Sequence, residues 1–266
     1  MRLETLEILR CPSCRGSLEV ATRRAVSSSG RVREGLLGCA SCQATYPILG
    51  WVPRMMIEPG LTEQERALAA ELRGEVARGG AAEASPTQVV DEDWISGQDY
   101  RARIESLVRS KILYTEFSPK MRERAERDIE YRIERTDQKD KFVKTAESYL
   151  EGAPRSILDV GGGQGGAVTA FRKAFAAERS VLLDIDDEWV ELAWLRDPET
   201  EVIRGDATHM PFRDEGFDFL TRRPRSSTSR SGKPVSLKCP VSPERGSSAT
   251  TRTAGSSTTC TSPHLS

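Results

Sequence analysis

The chain has 266 residues, a formal net charge of −1 and 37% hydrophobic residues, enough for one sizeable domain and a small one. The near-neutral sum hides an asymmetry: the segment after Thr221 carries eight basic residues and one acid, Glu244, so it is +7 and the remainder −8. No stretch is apolar for long enough to span a bilayer, and MRLETLEILRC lacks an apolar run followed by a small-residue cleavage site, so a cytoplasmic chain with no membrane partner is expected.

Two Cys-x-x-Cys pairs come first, Cys11-Pro-Ser-Cys14 and Cys39-Ala-Ser-Cys42. A tetrahedral zinc ion takes four soft ligands, and each short turn supplies two thiolates. Between the pairs, Ser17–Val26 and Arg31–Leu37 read as strands around the turn-like Ser27-Ser28-Ser29-Gly30. The pattern predicts a zinc ribbon over residues 1–57, with Cys11, Cys14, Cys39 and Cys42 holding a structural zinc. Free or redox-active cysteines are the competing reading, but a lone redox pair leaves the second pair unexplained.

LEILRCPSCRGSL and CASCQATYPILGWVPRM together resemble the short zinc-ribbon proteins that activate tRNA and release-factor methyltransferases. The resemblance spans roughly residues 3–56. It implies a module that docks on a methyltransferase, so a protein partner is a candidate for the ribbon.

Thr62-Glu63-Gln64-Glu65 is a capping-box pattern that opens a helix to about Arg78. Gly79-Gly80 ends it, and a linker with Pro86 follows, so residues 58–90 read as helix and linker. Residues 91–221 read as helices followed by the first half of an α/β domain. The helices are expected at about 100–114, at 118–134 and at Asp137–Glu151. In the last, Phe142, Val143, Ala146, Tyr149 and Leu150 fall at the spacing of one buried stripe.

Ser156–Val160 is a short apolar strand that runs into Gly161-Gly162-Gly163-Gln164-Gly165-Gly166, with a helix after it. Strand, glycine turn and helix form the nucleotide-binding arrangement of parallel α/β sheets. Gly161-x-Gly163-x-x-Gly166 satisfies the dinucleotide fingerprint. Asp159-x-Gly161-x-Gly163-x-Gly165 satisfies the first motif of S-adenosylmethionine (SAM) methyltransferases, and the acid before the first glycine favours that reading. The next strand, Ser180–Asp184, ends on an acid that can accept hydrogen bonds from both ribose hydroxyls, as NAD and SAM sites both require. Asp186 and Asp187 read as acids at a helix N-terminus.

The third strand, Glu201–Arg204, leads into GDATHMPFRDEGFDF. This run resembles the third and fourth strands of class I SAM-dependent methyltransferases, especially those acting on quinone precursors and other small molecules. The resemblance covers roughly residues 138–220. It implies a Rossmann-like methyltransferase sheet of which the first four strands are visible. It also implies that Asp206 bonds the adenine amino group and that the Ala207 backbone meets the ring edge. The cofactor-binding set is therefore Asp159, Gly161, Gly163, Gly165, Asp184, Asp206 and Ala207. No catalytic residue can be named, and His209, a loop histidine without an evident partner, is not assigned as a base.

Residues 222–266 have no aromatic residue and few large aliphatic ones, so a disordered tail is expected. Two origins stay open: a native basic tail that contacts RNA phosphates, or out-of-frame translation beginning near Leu220. The second is preferred, because the change falls inside a pattern that should continue. The chain is thus expected to be a SAM-dependent methyltransferase acting on a small-molecule or RNA acceptor, impaired by loss of the domain's second half. The alternative is a non-catalytic zinc-ribbon module that binds a partner methyltransferase or RNA.

Overall fold

A computed structural model describes residues 1–79, Pro86, 88–90 and 139–222. The helices expected at 100–114 and 118–134, and all of the basic tail but Arg222, lie outside the described residues.

A short 3-10 turn, Leu3–Glu7, precedes four ribbon strands: β1 (Leu18–Ser27), β2 (Val32–Cys39), β3 (Thr45–Leu49) and β4 (Val52–Met55). Neighbours along this run pair antiparallel. Helix α1 (Glu63–Gly79) follows, then β5 (Gln88–Val90), which pairs parallel with β1. The capping box forms as expected: the Glu65 amide donates to Thr62 Oγ1 at 3.2 Å, and the Thr62 amide donates to Glu65 Oε2 at 2.7 Å.

The α/β half contains α2 (Lys139–Glu147), β6 (Ser156–Val160), α3 (Gly166–Phe175), β7 (Arg179–Asp184), α4 (Asp187–Arg196), β8 (Glu201–Gly205) and β9 (Phe219–Arg222). Strands β8, β7, β6 and β9 lie side by side and parallel. Arg222 still pairs with Val160, so the fourth strand runs one residue into the stretch assigned to the tail.

Ribbon and α/β half share one sheet, in the order β5-β1-β2-β3-β4-β8-β7-β6-β9. The seam is a parallel pairing of β4 with β8, with Arg54 opposite Arg204 and Met55 opposite Gly205. Apolar cores cross this seam on both faces. One joins ribbon residues such as Ile8, Leu9, Ile48 and Met55 to Val160, Leu183 and Ile203. The other joins Trp51 and Val52 to Val168, Leu182, Val190 and Trp194. Trp51 stacks on Trp194 of α4 with ring centroids 5.9 Å apart, and the Arg31 guanidinium lies 5.5 Å from the Trp194 ring centre.

Trp194→Ala removes a large, 2%-exposed ring from the second core. Denaturant unfolding should show a loss of about 3–5 kcal/mol, and Trp51→Ala combined with it should be less than additive because the two rings touch.

Candidate functional site

The cofactor candidates converge on the carboxyl edge of the parallel strands, and the glycine turn forms their centre. Gly161, Gly163 and Gly165 have φ of 71°, 57° and 76°, the left-handed region that a side chain resists. A Cβ at Gly162 would lie 2.6 Å from Asp159 Oδ2 and 2.7 Å from Leu182 Cδ1, so the turn closes directly over the first strand. Nothing lies within 4 Å of where a Cβ on Gly163 would point, which leaves that side of the turn open.

Asp184, at the tip of β7, is oriented by backbone donors. Its Oδ2 accepts from the Gly163 amide at 2.8 Å and its Oδ1 from the Asp186 amide at 3.0 Å. Asp186 caps α4, accepting from the Glu188 and Trp189 amides, each at 3.1 Å. Asp206 follows β8 and caps the 3-10 turn Ala207–His209 through the Thr208 amide at 2.8 Å. Ala207 is exposed at the start of that turn. Asp159 differs from the other two acids. It is 1% exposed, lies beneath Gly162 and accepts from Thr221 Oγ1 at 2.6 Å. His209 is exposed and bonds Thr208 Oγ1 at 2.9 Å.

The second constellation is the cysteine cluster. The sulfurs of Cys11, Cys14, Cys39 and Cys42 all lie within 4.8 Å of one another. Cys11 and Cys42 are 3.6 Å apart, and Cys14 and Cys39 are 3.5 Å apart. Four thiolates around zinc stand about 3.8 Å apart at ordinary Zn–S lengths, so the set fits the metal. Tyr46 Oη lies 3.0 Å from Cys11 Sγ and 3.2 Å from Ser13 Oγ. Burial raises the Cys11 thiol, but hydrogen bonds from Tyr46 and from backbone amides outweigh it and bring its pKa down to about 6. The Gly16 amide lowers Cys14, yet its contacts with Cys42 and Cys39 hold it up at about 12. A cluster that favours one thiolate and opposes the next is one that a cation completes.

The cysteine knuckle reaches the carboxyl edge of the parallel strands. The Arg10 amide donates to Pro211 O at 2.9 Å, and the Arg213 amide donates to Ile8 O at 2.8 Å. Arg15, between Cys14 and Gly16, donates to Met210 O at 2.6 Å and pairs with Asp214 at 2.9 Å. The loop after Asp206 is thus held by the segment that carries Cys11 and Cys14.

Two family models match the sequence. One, described as a Trm112p-like protein, matches residues 2–49. The other, described as a methyltransferase domain, matches residues 158–223. The chain joins a Trm112p-like domain to a methyltransferase domain.

No curated protein matches the chain. Among solved structures, the YcgJ protein from Bacillus subtilis is 28% identical over 33% of this chain and 37% of its own, with a TM-score of 0.29. The plantazolicin methyltransferase BpumL in complex with SAH is 19% identical over 46% of this chain and 49% of its own, with a TM-score of 0.32. The chain spans less than half the length of these structures.

Sequence reasoning did not single out Ile185, Thr221, Arg54 or Arg204. Ile185 is a 38%-exposed apolar side chain directly after Asp184, and its place between two acids was the available signal. The other three gain meaning only from partners that are remote in sequence.

Removing zinc with a chelator should lower the thermal midpoint of the whole chain in one transition, because both cores cross the seam. A shift of about 5–10 °C is expected, at ~2–4 °C per kcal/mol, with Cys39→Ser giving the same direction. A midpoint that ignores chelation would contradict a structural metal.

Proposed function

We propose that the chain is a SAM-dependent methyltransferase whose Trm112p-like ribbon serves the methyltransferase domain of the same polypeptide. The observation that carries this reading is the carboxyl edge of the sheet. Asp159, Asp184 and Asp206 stand at or just beyond the ends of β6, β7 and β8, beside a glycine turn with an open side. In this reading the glycine turn receives the amino-acid portion of SAM and Asp184 accepts from the ribose hydroxyls. Asp206 and the Ala207 backbone meet the adenine edge, and Ile185 covers the adenine face. Gly161, Gly163 and Gly165 give the backbone its close approach.

Bound SAM supplies an activated methyl group on a sulfonium centre. The protein's task is then to hold donor and acceptor in line and to exclude water. The acceptor is proposed to be a small molecule, because residues 205–219 resemble the methyltransferases that use such substrates. Ribbon strand β4 already pairs with β8, which supports a ribbon working on its own chain in preference to a separate methyltransferase.

Calorimetry on the zinc-loaded chain should show binding of SAH and none of NAD. Asp184→Ala should weaken SAH binding by about 10–100-fold, the loss of one or two hydrogen bonds to a charged acceptor. Failure of SAH to bind would remove the cofactor reading, and transfer of labelled methyl groups to RNA alone would replace the small-molecule acceptor.

A further inference from the structure

A buried ionic cluster lies at the seam, next to the loop that carries Asp184. Arg54 of β4 and Arg204 of β8 are register partners on adjacent strands. They are 5% and 7% exposed. Like charges opposite one another on neighbouring strands repel, and burial strengthens the repulsion. Glu65, the fully buried third residue of α1, lies between them: Arg204 Nη1 donates to its Oε2 at 2.6 Å, and Arg54 Nε faces its Oε1 at 3.5 Å. The same Oε2 closes the capping box with the Thr62 amide. Forming the helix cap therefore delivers the neutralising carboxylate.

Both arginines also bind the segment after Asp184. Arg204 Nε donates to Ile185 O at 3.1 Å, and Arg54 Nη1 bonds the Asp187 carboxylate. Between these two anchors, the Asp186 amide holds Asp184 Oδ1. Glu65 lies outside both family matches.

We propose that Glu65 is a positioning residue for the cofactor edge: by holding Arg54 and Arg204 in register it fixes Ile185–Asp187, and through them the Asp184 carboxylate. The inference rests on the SAM reading for its ligand, but not for its geometry. Helix α1 thus acts as a latch between ribbon and ribose site, and not only as a linker.

Two measurements test it on the full zinc-loaded chain. The first uses no cofactor. Glu65→Gln can still cap the helix but cannot neutralise two guanidinium groups, whereas Arg204→Lys keeps a charge for Glu65 and loses the Nε donor to Ile185. In either variant, hydrogen exchange at the Asp186 and Gly163 amides, both bonded to Asp184, should accelerate about tenfold relative to amides within β6 and β7. Arg204→Lys carries the test should Glu65→Gln fail to fold. Unchanged exchange at those two amides in a folded variant overturns the proposal.

The second measurement compares SAH with its 2′-deoxy analogue. Glu65→Gln or Arg204→Lys should weaken SAH about tenfold and the analogue by less than about threefold, since the analogue has already lost part of the Asp184 contact. Equal weakening of both ligands indicates a general structural role and overturns the proposal. Absence of SAH binding by the unaltered chain defeats the SAM reading instead, and the exchange measurement then decides the positioning role alone.

Discussion

Strand β8 has the exposed-edge problem of every outermost parallel strand, and the arrangement follows from how that edge is covered. Strand β8 is buried along its whole length, and an open edge would add unpaired N–H and C=O groups to that buried strand. The ribbon supplies β4 to pair with it. Once that pairing forms, the sheet is continuous, the apolar cores on its two faces extend into the ribbon, and Trp51 comes to stack on Trp194. The ribbon also reaches past the strand end to the loop after Asp206 through Arg10 and Arg15. Cysteine cluster, seam and the carboxyl edge of the parallel strands are therefore links in one mechanical chain.

Charge at the seam sets its register more sharply than apolar packing can. Burial lowers the pKa of the Arg54 guanidinium, while Asp187 and Glu65 act in the opposite direction. Desolvating such a group is costly, so a buried ion cluster is weak evidence of net stability. Its value here is directional. Shifting β4 by one residue would turn Arg54 to the other face of the sheet, away from Glu65 and into the core that holds Ile48, Met55 and Leu183. The cluster makes that slip expensive, which a run of interchangeable aliphatic side chains would not do.

The parts legible in the sequence are those encoded over short distances. Cys-x-x-Cys spacing located the four cysteines, the Thr62–Glu65 box located the start of α1, and acids after apolar runs located Asp184 and Asp206. The seam was not legible in this way. Val52–Met55 is four residues long, its partner lies about 150 residues away, and no local periodicity names a strand's neighbour. Glu65 illustrates the limit. It was recognisable as a capping residue, but a glutamate in a charged helix looks solvated until Arg54 and Arg204 are placed beside it. The helices expected between residues 100 and 134 fall outside the described residues.

The three acids along the carboxyl edge are physically unequal, and the difference follows from their partners. Asp184 and Asp206 are partly exposed and held by backbone amides. Asp159 is enclosed by Gly162 above and Thr221 at its side. Its bond to Thr221 ties β6 to β9, while Asp184 ties the glycine turn to β7 through the Gly163 amide. The turn is thus bonded to one carboxylate, Asp184, and packs at Gly162 over another, Asp159. A loop rich in glycine is floppy by itself, and the Asp184 bond together with the close packing of Gly162 over Asp159 holds this one in place.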